Sequence, residues 1–517
     1  ENRNTPESVN SHYNLAYTHF KTKNYGEAIS AFETFLKNPA IDNQRKKDAN
    51  LRLGDSYFVT SKYWPAMESY NKVIEAGGKD ADYAAFQKAI SYGFVDRSDT
   101  KQEELTAFEK KYPNSGYRDV ALYELGNTYL AQNKNNEAIQ AYDKLINNLS
   151  KSSFVPRALL KKALILNNTD QPDQALNVFK RVANDYPSSP EAMQAVSSAK
   201  LIYIDLGRVD EYASWVKTLD FVEVADAELD LATYESAENR YLQNETEKAI
   251  PLFEKYLKEF PNGINSLAAN FYLGQMYYGN NEKNKARDNY EFVVSKESNE
   301  FTEQSLSRLS EIYLAERDYE KALPVLKRLE AEATFPQNII FAQSNLMKSH
   351  YELDNYAEAV SNAEKVLLNP EIDNRVKSDA QVVIARAAMK NNQEEKTKTA
   401  YAEVRKIATG ELAAESLYYD AYFKNKEGNF EASNTVVQTL AKDHSGYKKW
   451  GGKGLVIMSK NFYALEDAYQ ATYILESVIT NFSDFPEIVN EATTELNRIK
   501  AEEAKTNASV EADSDNE

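Results

Sequence analysis

At 517 residues the chain is long enough for several globular domains or for one extended repeat array, and its periodicity has to decide between them. It sets 79 acidic residues against 61 basic ones, a net charge of −18, which argues against general nucleic-acid binding and against loose attraction to an anionic membrane surface. The absence of cysteine excludes disulfides, thiolate metal sites and cysteine nucleophiles, and no apolar run approaches the roughly 18 residues of a transmembrane helix.

In chain order, residues 1–9 form a short polar leader. No initiating Met precedes it and the first helical phrase begins almost at once, so an upstream continuation with further repeats or a targeting segment is expected. The phrase YELGNTYLAQNKNNEAIQAYDKLI, from Tyr123, shows the building unit. Leu125, Gly126 and Tyr129, then Ala138, Tyr142 and Leu145, have the spacing of two helix faces, with polar AQNKNN as the turn between them. Its template is a small residue, an Ala 12 positions later, and a large apolar residue four after that. The template recurs as Ala16–Ala28–Phe32, Gly54–Ala66–Tyr70, Gly126–Ala138–Tyr142, Ala163–Ala175–Phe179, Ala237–Ala249–Phe253, Gly274–Ala286–Tyr290 and Ser310–Ala322–Leu326. Looser copies follow at Met347–Ala359–Ala363, Ala385–Thr397–Tyr401, Asp420–Ala432–Val436 and Ser459–Ala471–Leu475. Degenerate units around Ala89 with Leu105 and around Lys200 with Tyr212 complete 13 units, with a mean spacing of about 37 residues.

One helical hairpin cannot bury its apolar face alone, so successive hairpins must stack. The expected fold is therefore all-α: an α-solenoid of about 13 hairpins over residues 10–485, forming a superhelix. Prolines at 113, 187, 261, 336 and 486 are read as terminators of second helices, because proline lacks an N–H and disfavours helix in the residue before it. Ser115 is placed to cap the helix that follows Pro113. Trp450-Gly451-Gly452-Lys453-Gly454 reads as a turn between repeats. From Pro486 to residue 504 a single apolar stripe, Ile488, Val489, Ala492, Leu496 and Ile499, predicts a capping helix, and 505–517 is acidic, aperiodic and expected to be disordered.

Chemistry-bearing motifs are missing. His12 and His19 are seven apart with no third ligand in view, and no P-loop, Rossmann or Gly-x-Ser-x-Gly pattern occurs. With 79 acidic residues on solvated helices, no carboxylate pair can be singled out. No enzyme activity, cofactor or metal is expected.

The repeats resemble the tetratricopeptide repeat (TPR) family. The likeness lies in Leu53-Gly54 with Tyr57, Leu125-Gly126 with Tyr129 and Leu273-Gly274 with Tyr277, in the Ala-x-x-x-Phe/Tyr of the second helix, and in Pro113, Pro187 and Pro261. The family's usual period is shorter, which implies slightly longer helices or turns here. The resemblance implies a non-catalytic scaffold that binds proteins or peptides along the inner groove lined by first helices. That groove takes the positions three before and one after the small residue: Tyr13 and Tyr17, Leu51 and Asp55, Tyr123 and Asn127, Phe271 and Gln275, with Phe20 and Tyr278 a turn further on. None of these pairs carries the Lys of a carboxylate clamp. The phrase FEKKYPNSGYRDVALYELGNTYLAQNKNNEAIQAYDKLI is similar to bacterial envelope TPR proteins: outer-membrane assembly lipoproteins, Tol–Pal coordinators and multi-repeat proteins of Bacteroidota. This implies a periplasmic or outer-membrane-associated protein that serves envelope assembly or maintenance, with partners among outer-membrane or periplasmic proteins. The alternative is a cytosolic adaptor or co-chaperone-like regulator.

Overall fold

The computed structural model describes the backbone of residues 5–514 and the side chains of residues 5 and 7–505. Its regular structure is helical throughout, with 27 α-helices and no strand among the described residues. The helices form two compact units, Glu1–Ile264 and Asn265–Glu517. In the first unit α1 (Pro6–Lys21) pairs with α2 (Tyr25–Leu36), α3 (Asn43–Val59) with α4 (Tyr63–Ala76), α5 (Ala81–Gly93) with α6 (Ser98–Lys111), and α7 (Arg118–Ala131) with α8 (Asn135–Asn148). Three more hairpins follow: α9 (Val155–Asn168) with α10 (Pro172–Asp185), α11 (Pro190–Asp205) with α12 (Val209–Val216), and α13 (Asp226–Leu242) with α14 (Thr246–Glu259). The second unit opens with α15 (Ser266–Gly279) and α16 (Lys283–Val294), α17 (Thr302–Ala315) and α18 (Tyr319–Glu332), and α19 (Pro336–Glu352) and α20 (Tyr356–Leu367). It continues with α21 (Asn374–Lys390) and α22 (Glu394–Ile407), α23 (Gly410–Lys426) and α24 (Phe430–Asp443), and α25 (Lys448–Ala464) and α26 (Ala468–Asn481), and ends in α27 (Pro486–Ser514). Thirteen hairpins thus carry the thirteen sequence units.

Each hairpin turns on one residue with positive φ: Lys23, Ser61, Asp96, Asn133, Asp170, Gly207, Asn244, Asn281, Arg317, Asp354, Asn392, Gly428 and Glu466. The next N–H reaches back five residues, as from Asn24 to the His19 carbonyl and from Lys134 to the Tyr129 carbonyl, each at 2.9 Å. Left-handed backbone costs an ordinary side chain about 1–2 kcal/mol, so glycine suits positions 207 and 428, and seven of the others are Asn or Asp, which tolerate it best. From Asp96 to Asn281 these residues recur at 37, so the turn keeps the period of the repeat.

Packing follows the template. Ala28, Ala66, Ala138, Ala175, Ala249, Ala286 and Ala322 are wholly buried, so each second helix approaches its first as closely as a Cβ allows. Phe32, Tyr70, Tyr142, Phe179, Phe253 and Tyr290 fill the space between hairpins and are also wholly buried.

Several local expectations give way. Pro113, Pro187 and Pro261 do follow second helices, but Pro336 and Pro486 are the first residues of α19 and α27, where a missing N–H has no intrahelical partner to lose. Ser115 caps no helix: its hydroxyl donates to Asp82 of the preceding hairpin at 2.7 Å and accepts the Tyr117 N–H at 3.1 Å. Ser152 repeats the device one unit later, donating to Asp119 at 2.6 Å and accepting the Phe154 N–H at 3.1 Å. Glu303 of α17 holds the entry to α19 with four bonds, from the Thr334 N–H (2.9 Å) and hydroxyl (2.7 Å), the Phe335 N–H (3.1 Å) and the Asn338 amide (2.7 Å). The Trp450–Gly454 stretch is no turn but lies inside α25, where a Cβ at Gly452 would come within 2.8 Å of the Phe482 ring. In the α23–α24 hairpin the register slips by one: Ala421, Ser433 and Val437 are buried instead of Asp420, Ala432 and Val436. The leader is helical from Pro6, and α27 runs past residue 504 to Ser514, so the expected disordered tail is helical over 505–514; residues 1–4 and 515–517 lie outside the described residues.

Candidate protein-binding faces

The groove positions lie on the first helices, where packing between hairpins consumes some of them, Leu51 at 3% exposed among them, and leaves others half-buried. In the first unit they are wired together. Tyr13 and Tyr17 stack at 5.9 Å, both half-buried, and the Tyr13 hydroxyl donates to Asp48 on α3. Arg52 pairs with Asp48 at 3.3 Å and Asp55 at 3.4 Å, and its guanidinium lies 5.6 Å from the Phe20 ring centre. Asp55 is 9% exposed and accepts from both Tyr70 and Tyr83 hydroxyls at 3.0 Å. Burial pushes its carboxyl above the usual value, against the two hydroxyl bonds and the Arg52 charge, which pull it down. Burial, with the Asp55 charge, drives the Tyr70 hydroxyl far up, so it stays a donor.

Further along the unit, Tyr123 is half-buried between Phe154 (5.3 Å) and Tyr142 (6.0 Å). Asn127 accepts from the Tyr142 hydroxyl at 2.8 Å. Asp55 and Asn127 thus hold the second-helix tyrosine of their own hairpin. Asp55 is a correction to the sequence reading: buried and saturated with internal bonds, it offers a partner nothing.

In the second unit Phe271 is also corrected. It is 7% exposed and stacked on Phe301 at 4.5 Å, within the packing between hairpins. Gln275 and Tyr278 stay half-buried. The Tyr278 hydroxyl donates to Glu311 at 2.7 Å, which with burial raises it, and Arg308 joins the same carboxylate at 2.8 Å.

The sequence reading missed a cavity of about 320 Å³ on the first-helix face of this unit, where Asn345, Lys348, Tyr351, Val383, Arg386 and Leu412 converge. Its cations are already committed. Lys348 pairs with Asp379 at 2.5 Å, and Arg386 makes a two-pronged pair with Glu415 at 2.8 and 2.5 Å. Glu415 is 1% exposed and also accepts the Tyr401 hydroxyl at 2.7 Å. Lys348 and Arg386 directly follow Met347 and Ala385, so the one-after count, extended to the looser repeats, would have found them.

These faces combine fixed aromatic rings with internally balanced charges. That chemistry recognises a protein surface by shape and by directed hydrogen bonds. Among the described residues no group of His, Cys, Asp and Glu is arranged to hold a metal ion.

Three family models, each described as tetratricopeptide repeat, match the chain: one over residues 120–152, 157–189 and 232–263, a second over 13–81 and a third over 305–335. None of them describes an enzyme. No curated protein matches. Among solved structures, the chain is similar to Naa15/Naa10 bound to HypK-THB (12% identity, 95% of this chain and 79% of that one, TM-score 0.38). It is similar also to a tetratricopeptide repeat protein from Parabacteroides merdae (16% identity, 51% and 98%, TM-score 0.27). A third is YrrB, described as a TPR protein with an unusual peptide-binding site (14% identity, 36% and 89%, TM-score 0.29).

Proposed function

We propose that this chain, which carries tetratricopeptide repeats, is a non-catalytic scaffold that binds partner proteins along the first-helix faces of its hairpins and serves assembly or maintenance of a bacterial cell envelope. The carrying observation is that these faces keep half-buried aromatic rings (Tyr13, Tyr17, Tyr123, Tyr278) while their charges are neutralised within the fold. Rigid aromatics offer contact area at small entropic cost, and paired charges avoid the desolvation penalty of lone ones. The envelope location rests on the likeness of its repeat phrases to envelope TPR proteins, and a cysteine-free composition fits an exported chain.

Fractionation of the native host followed by crosslinking and capture tests both parts. The protein should be found in the envelope fraction with outer-membrane or periplasmic partners. A Tyr17→Ala/Tyr123→Ala variant should lose most of that capture while its circular dichroism stays unchanged. Recovery in the cytosol sinks the envelope assignment, and undiminished capture by the variant sinks the first-helix faces as the site.

A further inference from the structure

A second surface differs in character from those faces. At the edge where one hairpin passes to the next, the end of α2, the first half of α3 and the end of α4 enclose a notch of about 840 Å³. Lys46, Lys47 and Lys72 line it, with Asn43, Gln44 and Asn50. Lys46 and Lys72 are exposed and form no ion pair among the described residues. Lys47 leans toward the Gly77 carbonyl (3.4 Å) and Asp80 (3.9 Å). Glu75 is the lining carboxylate. The lining sets three lysines against one carboxylate in a chain whose net charge is −18, so the notch is a positive island on an acidic protein. The first turn of α3 lines it through Asn43 and Gln44, and just outside the lining Asp42 caps that helix, accepting the Arg45 N–H at 2.9 Å.

We propose that this notch binds an acidic, extended peptide segment of a partner protein. The lysines select for carboxylates, and steering toward so local a patch favours acidic segments over the acidic bulk of the surface. The amides select for a peptide. Asn43 and Gln44 are exposed on the same wall, and their side-chain amides can donate to and accept from a peptide backbone running past the lysines.

The test uses the full chain and a fluorescein-labelled peptide of alternating glutamate, aspartate and serine, read by anisotropy, beside its glutamine/asparagine counterpart. The acidic peptide should bind and weaken steeply as salt rises, and the amide peptide should not bind. Lys46→Glu/Lys72→Glu should weaken binding about tenfold or more. Lys110→Glu, an exposed lysine elsewhere in the unit, should leave it unchanged. Circular dichroism melts establish that each variant folds. Equal loss with Lys110→Glu overturns the site, because attraction is then diffuse. Competition by inorganic phosphate or a short oligonucleotide as strong as by unlabelled peptide overturns the ligand class. Since none of these substitutions touches the first-helix faces, loss here is distinguishable from loss of the scaffold function.

Discussion

Six hairpins show a pairing inside single residues' reach. Where the small residue of the first helix is glycine (Gly54, Gly126, Gly274), the large residue of the second is tyrosine (Tyr70, Tyr142, Tyr290). Where it is alanine (Ala16, Ala163, Ala237), the partner is phenylalanine (Phe32, Phe179, Phe253). In two of the three Gly–Tyr hairpins the hydroxyl explains this. Tyr70 and Tyr142 reach across to the residue after the glycine, Asp55 at 3.0 Å and Asn127 at 2.8 Å, and that bond draws the ring over the first helix. A Cβ added at Gly54 would lie 2.7 Å from the Tyr70 ring, and at Gly274 2.8 Å from the Tyr290 ring. Ala385 sits with Tyr401 because that hydroxyl goes elsewhere, to Glu415 on α23 at 2.7 Å. Gly126→Ala should therefore cost about 1–3 kcal/mol despite alanine's better helix propensity, because the Tyr142 ring must be displaced. Tyr142→Phe alone should cost about 1 kcal/mol for the lost hydrogen bond. The double variant recreates a pair the chain already uses and should be less destabilised than Gly126→Ala. Hydrogen-exchange protection over α7 and α8 measures all three. Additive losses would remove the hydroxyl as the reason for the pairing.

Between elements, carboxylates in one hairpin hold the turn that starts the next, and Glu303 does so most fully. Burial raises its carboxyl, but the bonds from Thr334, Asn338 and Phe335 outweigh that and keep it below the usual glutamate value. A depressed pKa means stability that is complete above the ordinary value of about 4.3 and is lost as pH falls through the lower value of the folded chain. Protection of the amides at 334–338, corrected for intrinsic exchange, should decline over that acid window. Glu303→Gln should lower it at neutral pH by about 1–3 kcal/mol, since its amide faces two of the four donors, and should flatten the pH dependence. Unchanged protection would show the turn to be held by packing alone. Helix existence and spacing were legible in the sequence because the 3-to-4 periodicity is strong in the Gly/Ala–Ala–aromatic repeats. Punctuation was not. Pro336 can stop a helix or start one, and the bonds that Thr334 and Phe335 donate to Glu303, which fix the chain just before it, are not visible in the sequence. Gly452 reads as a turn until Phe482 is seen packed against it.

At the scale of the molecule, each hairpin touches mainly its neighbours, so stability is nearly a sum of local terms. The candidate faces were half legible for the same reason. Counting from the small residue finds which positions lie on the first-helix face, but whether Asp55 or Phe271 is free depends on Tyr83 and Phe301 from the next hairpin, which the count does not contain. The basic notch was illegible because Lys46 and Lys72 come from different helices. Quasi-one-dimensional stability makes a further claim about the second unit. Ile488, Ala492, Leu496 and Ile499 of α27 are buried against Val456, Leu475 and Val478 of the last hairpin. Covering the three larger side chains is worth on the order of 5 kcal/mol. A chain ending at residue 485 should thus lose most hydrogen-exchange protection in α25 and α26, with loss fading across α23 and α24. Helices α7 to α10, whose contacts it leaves intact, should keep theirs. Loss spread evenly over both units would mean that the array unfolds as one cooperative body, and nearest-neighbour stacking would not then account for its stability.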